Sequence, residues 1–415
     1  MREQIDLDIP LRAFPAWACT NRSLEQVLPA KPGLFDLVIL DEASQCDLAT
    51  AAVALFRGKR ALVIGDPQQL RHVSFLSRAR EQASFIRHQF NVAFQERVRY
   101  RRSLFDIASD AVLQSNFFLL DQHFRSHPHS IDFSNRNFYD NQLRIMTERP
   151  HVQEQSAVRW LYTEGQRTSA SSVNPAEIDA IVSEVSAVIQ RTQGNPGAPS
   201  IGIVSPFRDH VDAIRERLID RLPASDLECH QLVLGTAHTL QGDEKDIIFF
   251  TTSVDTNCHS ASLRFLQNPN LFNVAITRAR HELVTITSVT PDNLRPGLLR
   301  EFLWHTERLI QPQPVTDAYE TAFQKKVTAE LRKQKLIAWP NYRSTGVRID
   351  LVVSDGSGHL AVLLDGSECD TGGVSPLVTH RILVRAGWRV TRLSPRSWKT
   401  SWYDCLEHIR TIFHQ

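Results

Sequence analysis

The chain carries two adjoining carboxylates, Asp41 and Glu42, directly after the apolar run Leu37–Leu40, in the string FDLVILDEASQ (Phe35–Gln45). Hard carboxylate oxygens suit a magnesium ion bridging nucleotide phosphates, which makes the first of the pair a candidate metal ligand. The second is of the type that orients a water for attack on a γ-phosphate. An Asp-Glu pair after a strand also occurs as a plain solvated turn, and this string alone leaves both readings open. A second string of the same build follows. LVIGDPQQL (Leu62–Leu70) is an apolar run ending in Gly65-Asp66-Pro67-Gln68-Gln69.

The elements that must position these residues are strands of a buried kind. Leu37–Leu40 is short, apolar and β-branched, and reads as a fully buried strand. In open α/β sheets ligands bind at the carboxyl ends of such strands, where Asp41 and Glu42 fall. Asp47–Phe56 (DLATAAVALF) has apolar spacing near 3.6 and reads as a core helix. Arg71–Arg102 is helical in spacing and rich in Arg and His, suiting either a nucleic-acid backbone or a solvated basic face. Ser103–Leu113 reads as a helix capped by Ser103, with Asp106 in its first turn. Further strands are expected at Ala157–Tyr162, Ile201–Val204, Leu232–Gly235, Ile247–Thr252 and Leu283–Thr287. Helices are expected at His129–Phe138 and at Pro175–Arg191, the latter with Pro in its first turn.

Composition bounds the class. The 415 residues are 42% hydrophobic and 22% charged, with room for two or three domains. A net charge of +1 announces no nucleic-acid partner for the chain as a whole, so any basic surface is local, as in Arg97–Arg102 (RVRYRR). Cys19, Cys46, Cys229, Cys258, Cys369 and Cys405 are scattered without a CxxC, which speaks against a zinc site or a disulfide framework and fits a reducing, cytoplasmic setting. No apolar run is long enough to span a membrane, and no signal peptide is present.

DEASQ followed by GDPQQL resembles motifs II and III of the superfamily 1 helicases, in the subgroup that includes the nonsense-mediated-decay helicase and its DNA-processing relatives. Later strings continue the resemblance in order: LDQHFRSHP (Leu120–Pro128) motif IV, SPFRDH (Ser205–His210) the short motif after it, GTAHTLQGDEKD (Gly235–Asp246) motif V and NVAITRAR (Asn273–Arg280) motif VI. The resemblance implies ATP and Mg2+ as cofactors, with Asp41 holding the metal and Glu42 activating water. It implies that Gln69 senses the γ-phosphate and that Arg125 and Arg278, the latter carried on a helix beginning at Asn273, stabilise transition-state charge. Asp66, Gln241, Gly242 and Glu244 would face the nucleotide. Ser205, Pro206, Thr236 and His238 would face a nucleic-acid backbone, single-stranded DNA ahead of RNA. Phe207 is equally a base-stacking or a core residue.

One departure from the family is informative. No GxxxxGK[ST] phosphate loop occurs, and the nearest string, Arg57-Gly58-Lys59-Arg60, lacks the first glycine and the Ser or Thr. Without that loop no backbone amides cradle the phosphates. The expectation is the carboxy-terminal portion of a longer or split helicase, with a protein partner or upstream segment supplying the loop. The alternative is an ATPase-deficient nucleic-acid-binding or regulatory subunit.

Past a proline-alternating linker, Gln311–Pro314, the composition resets. A helix at Ala318–Lys333 and strands at Ile349–Val353, Leu360–Asp365 and Trp388–Leu393 resemble a Vsr-like (very-short-patch-repair-type) endonuclease domain of the PD-(D/E)xK group. By that resemblance Glu320, Asp350 and Asp365 would gather around a divalent metal. Leu363 stands where an acidic residue is usual, and Ser367–Asp370 replaces the usual Tyr-His, so a degenerate binding or docking domain is expected ahead of an active nuclease. The fold expected is therefore α/β: RecA-like parallel-sheet domains, the first truncated at its N-terminus (1–114) and the second complete (115–310), then a small α/β restriction-endonuclease-like domain (315–415). A helicase–nuclease pairing suits DNA repair or phage defence by analogy.

Overall fold

The structure, a computed structural model, describes residues 8–414 apart from 75, 151–156, 169–170, 194–196, 259–262, 264–265, 309–320, 345, 357 and 366–374. The chain divides into two units, Met1–Leu119 and Leu120–Gln415. The expected linker at 311–314 and the candidate ligand Glu320 lie outside the described residues.

In the first unit, β1 (Val38–Leu40) pairs in parallel with β2 (Ala61–Val63), joined by the helix Leu48–Arg57. A parallel pair needs such a crossover. Asp47 caps the helix by accepting from the Thr50 amide at 2.7 Å. The helix buries Ala51 and Ala54 beside Leu24, Leu28, Leu40 and Leu104. Leu37–Leu40 is not the fully buried strand its composition suggests. Leu37 is 47% exposed and Ile39 57%, because the described sheet has two strands and covers one face of them. The stretch 71–102 folds as two short helices, Arg78–Arg87 and Val92–Arg97, rather than one run. The helix Leu104–Ala111 is capped by Ser103 as expected, and Asp106 completes a capping box with it.

The near-match Arg57-Gly58-Lys59-Arg60 is structural. Arg57 is buried, and its guanidinium donates to Pro29 O, Val53 O and Leu28 O at 2.9, 2.7 and 2.9 Å. A Cβ on Gly58 would stand 2.8 Å from Val38 Cγ2, and Lys59 pairs with Asp36 at 2.7 Å.

The second unit is built on a parallel sheet of order β5-β9-β8-β6-β7: Val158–Tyr162, Ala279–Thr287, Lys245–Thr251, Ile201–Val204 and Val233–Gly235. Its apolar runs are buried on both faces, as an all-parallel sheet requires. Ile201, Ile203 and Phe249 face Ile181 and Val185 of the helix Pro175–Thr192 and Ile214 of Arg208–Arg221. Ile248 and Phe250 face the other way, onto Phe133, Phe272 and Phe302 from the helices Pro128–Phe138, Pro269–Ile276 and Leu298–Arg308. Helices on both faces of a parallel sheet fit a RecA-like domain.

Four more strands close the chain in the order β10-β11-β12-β13: Ile337–Ser344, Val347–Ser354, His359–Leu364 and Arg389–Leu393. The first two pairings are antiparallel and the last is parallel, crossed by the helix Pro376–Arg385. The strand Ile337–Ser344 is absent from the sequence reading, because Pro340 and Asn341 interrupt its alternation. Asn341 takes φ +53° within it.

Candidate functional site

Parallel pairing carries both acidic strings to one edge. β1 ends at Leu40, before Asp41-Glu42, and β2 ends at Val63, before Ile64-Gly65-Asp66. The ladder continues past the strands: Ile64 N donates to Leu40 O and Ala43 N to Ile64 O, each at 2.8 Å. The two loops are therefore joined by backbone hydrogen bonds. A Cβ on Gly65 would sit 2.9 Å from Phe105 Cδ2 and 3.0 Å from Ser44 N, so glycine is what permits their close approach. Glu42 adopts φ +52°, ψ +39°, a left-handed conformation that costs a non-glycine residue about 1 kcal/mol. Its amide donates to Asp41 Oδ1 at 2.8 Å and its Oε2 accepts from Gln45 Nε2 at 2.9 Å, while both carboxylates stay exposed. In the next loop Asp66 accepts from the Gln68 amide at 2.9 Å and from Gln69 Nε2 at 3.0 Å. Asp41, Glu42, Asp66 and Gln69 are thus brought to one edge of one sheet.

In the second unit the candidate residues separate onto opposite edges of the five-stranded sheet. Ser205, Pro206, Thr236 and His238 follow β6 and β7 at the carboxyl edge, whereas Glu244 precedes β8 and Arg280 opens β9 at the amino edge. At the amino edge Glu244 is held from two sides. Arg280 Nε and Nη2 donate to its Oε1 at 2.9 and 2.5 Å, and Arg125 Nε contacts its Oε2. The loop carrying Arg125 is tied to β9 where His127 N donates to Arg280 O at 2.8 Å. His123 Nε2 accepts from Ser126 N at 2.9 Å, and burial, with the Arg125 charge beside it, pushes its pKa down to about 4 against the pull of Glu244. This imidazole is neutral at physiological pH and serves as an acceptor. Gly242 sits at φ +78° with open space around it, and Gln241 Nε2 is buried without a hydrogen-bond partner.

Arg278 departs from expectation. The helix runs Pro269–Ile276, starting earlier because Asn268 caps it and Pro269 takes the first turn, so Arg278 lies beyond its end. Its side chain is 1% exposed, with Nε donating to Val274 O at 3.1 Å. Arg280, two residues on, presents the exposed guanidinium. Ser205 is likewise fully buried and closes its turn, its Oγ accepting from the Phe207 amide at 3.4 Å and its amide donating to Gly235 O at 3.0 Å. His238 is exposed and Thr236 and Pro206 are half-buried on that edge. Phe207 has one ring face covered by the Arg167 guanidinium, 4.5 Å from its centroid.

Behind this edge lies a buried group that sequence reasoning missed. Glu177 accepts from Thr251 Oγ1, Ser253 N, Ser288 N and Asn174 Nδ2 at 2.5, 2.8, 3.1 and 3.2 Å. Burial pushes its pKa up to about 7 despite those donors. His210 Nε2 stands 3.0 Å from Thr251 Oγ1, linking SPFRDH to the network. Asn174-Pro175-Ala176-Glu177 has the form of a helix cap, which is all that sequence signals there.

Of the three expected C-terminal ligands, Glu320 lies outside the described residues, and Asp350 and Asp365 are each engaged by a partner. Asp350 Oδ2 accepts from the Leu364 amide at 2.8 Å, while Asp365 pairs with Arg392 at 2.7 Å. Among the described residues no group of three or more His, Cys, Asp or Glu is placed to hold a metal ion. Nor is any helix among them long and apolar enough to cross a membrane.

Comparison with known proteins gives two AAA-domain family models, one matching residues 18–75 and the other 100–290. An uncharacterized ATP-dependent helicase, MG140, of Mycoplasma genitalium is 26% identical over 77% of this chain and 30% of its own length. Helicase sen1 of Schizosaccharomyces pombe is 28% identical over 61% of this chain and 14% of its own, and the putative helicase MOV-10 of Gallus gallus 26% over 61% and 30%. The chain spans less than a third of each of these relatives. Among solved structures, the C-terminal domain of a possible DNA helicase from Lactobacillus plantarum is 15% identical, with 43% of this chain and 96% of that one covered at a TM-score of 0.25. The PRRSV helicase is 14% identical, with 88% and 49% covered at 0.28. The RecA-like character of the second unit lies in its parallel strand order and flanking helices. The family matches support a superfamily 1 helicase.

Proposed function

We propose that this chain is the motor portion of a superfamily 1 helicase or translocase, coupling ATP hydrolysis to movement on single-stranded nucleic acid, with DNA favoured over RNA. The observation that carries the reading is the shared edge of β1 and β2. There exposed Asp41 and Glu42 stand beside the Asp66–Gln69 turn on a ladder that fixes one loop to the other. In this reading Asp41 holds Mg2+, Glu42 orients the attacking water, and Gln69 reports on the γ-phosphate. Arg125 and Arg280 supply positive charge for the phosphoryl oxygens. Both arginines are occupied by Glu244 in this state, so a nucleotide would compete with that carboxylate. Arg278, being buried, is assigned a structural place. Gln241 and Gly242 remain nucleotide-side candidates, the first for its unpaired buried donor. Thr236, His238 and Pro206 form the nucleic-acid edge, with Ser205 shaping it.

The phosphate-binding loop is proposed to come from a partner or a further segment. Two things support this: the pattern GxxxxGK[ST] is absent from these 415 residues, and apolar Leu37, Ile39 and Leu62 are exposed on the β1–β2 sheet at 47%, 57% and 47%. The C-terminal domain is proposed as a degenerate endonuclease-like fold, since Asp365 is paired with Arg392 and Leu363 stands where an acidic residue is usual.

Nucleic-acid-stimulated ATP hydrolysis by the 415-residue chain tests the reading, with single-stranded DNA and RNA assayed separately. Glu42→Gln is expected to lower turnover about 100-fold or more, the usual worth of a positioned base. Absent turnover with intact strand binding would instead establish a binding subunit completed by a partner.

A further inference from the structure

The segment Arg144–Arg149 touches two parts of the second unit at once. On one side β4 (Arg144–Ile145) pairs with β3 (Gln122–His123), Met146 N donates to His123 O at 2.8 Å, and Thr147 Oγ1 donates to Ser126 O at 2.6 Å. Those last two bonds fall on either side of Arg125. On the other side Met146 is fully buried among Trp339, Tyr342, Val347 and Trp388 of the C-terminal domain. Arg149 stacks on Trp388, with Cζ 4.0 Å from the ring centroid, and its Nη2 donates to Ala386 O at 2.6 Å. Its Nη1 donates to Glu148 O at 2.8 Å and Met146 O at 3.3 Å, and Ser344 Oγ donates to Glu148 O at 3.0 Å.

A half-buried guanidinium between two domains is an expensive way to hold them together, since an apolar residue of similar size does so at least as well. What an apolar residue does not do is fix carbonyls. Arg149 binds carbonyls of its own strap together with Ala386 of the neighbouring domain, and so sets the strap's backbone as well as its docking. Burial lowers its pKa to about 10, leaving it charged at neutral pH. Arg385, with Cζ 5.2 Å from the Phe124 ring centroid, makes a second link from the C-terminal domain to the residue before Arg125.

We propose that the C-terminal domain acts through this strap as a positioning element for Arg125, with Arg149 and Met146 as the positioning residues. Fixing the backbone on both sides of Arg125 removes conformational freedom before any ligand arrives, which is how preorganisation raises affinity. The importance of Arg125 rests on the motor reading above, whereas the mechanical link does not. The appended domain therefore has a role that needs no nuclease chemistry.

Hydrogen–deuterium exchange of the full chain tests this without requiring turnover. Arg149→Ala is expected to speed exchange over residues 122–127 about fivefold to tenfold, the worth of roughly one hydrogen bond. Trp388→Phe keeps a ring face and is expected to stay near wild type, and Arg149→Lys is expected to restore less than half of the protection. Ile409→Val, in the C-terminal domain's other core cluster, loosens that domain without touching the strap and is expected to leave 122–127 unchanged. Unchanged exchange there in Arg149→Ala, or an equal rise in Ile409→Val, would overturn the proposal. If Arg149→Ala does not fold, Met146→Val reads the same segment. Addition of Mg2+-ATP to wild type is a separate arm. Absence of protection over 122–127 removes Arg125 from the nucleotide site while the mechanical link stands on the mutants.

Discussion

Two parallel sheets among the described residues, β1–β2 and the five-stranded one, are built from similar strings and have opposite fates. VIL and ALV of β1 and β2 are as apolar as IGIV of β6, yet Ile39 is 57% exposed while Ile201 and Ile203 are fully buried. The difference lies in what surrounds them. β6 has a strand on each side and helices on both faces, whereas β1 and β2 have each other and one covering face. Sequence fixes what a strand is suited to, and neighbours decide whether that suitability is used. The candidate carboxylates Asp41 and Glu42 follow a strand of the sparse sheet, where side chains stay accessible. The dense sheet carries its candidate residues beyond its edges and keeps its interior for packing.

Substitution inside the dense sheet gives the largest contrast. Phe249→Ala removes a fully buried ring between helix and sheet and is expected to cost about 3–5 kcal/mol in denaturant unfolding. A cost below about 1 kcal/mol would mean that this sheet is no better packed than the other. Glu177 comes next. Its folded pKa is raised from 4.5 to about 7, so its stabilising contribution is whole below pH 4.5 and is lost as pH rises through about 7. Glu177→Gln removes that titration but turns an amide N–H against the donors that meet the carboxylate. The variant is expected to be less stable at pH 4.5, with the deficit shrinking by about 3 kcal/mol between pH 4.5 and 7. His123 and His210, both held near 4 by burial, act oppositely but cancel in the wild-type-minus-variant difference. A pH-independent difference would mean that Glu177 is not the group that titrates.

What was legible in the chain follows the same division. The order of the strings and the strands at Val158–Tyr162 and Ile201–Val204 were readable because local composition decides them. The cap at Ser103 was readable because Ser and Asp at the right offset satisfy the helix's free amides wherever they fall. The loss of burial on Leu37 and Ile39 was not, since it depends on which strands adjoin. Arg278 and Arg280 differ by two positions in a string that names both. Which one is swallowed by the fold depends on a helix start set by Asn268 and Pro269, outside the motif itself. Glu177 and Arg149 gave no signal of these places in the sequence. Each owes its place to partners far away in sequence, Thr251 and Ser288 for one, Trp388 and Ala386 for the other.

Gly65 and Ile39 bring the comparison to the sparse sheet. Gly65→Ala pushes a methyl into Phe105 and the Ser44 amide, and it is expected to cost about 1–3 kcal/mol by overpacking. The smallest effect is expected from Ile39→Ser on β1. With 57% of the residue already in solvent, little apolar area is lost, and the change in unfolding free energy of this chain is expected to stay within about 0.5 kcal/mol. Strand propensity alone would set a larger cost, because Ile to Ser is among the less favourable exchanges in a strand. A loss near 2 kcal/mol would therefore mean that the sheet is covered in solution, either by a second copy or by another segment of this chain. Repeating the measurement across a range of protein concentrations separates these cases. A penalty that grows with concentration points to self-association, and a constant one to a cover supplied within the chain.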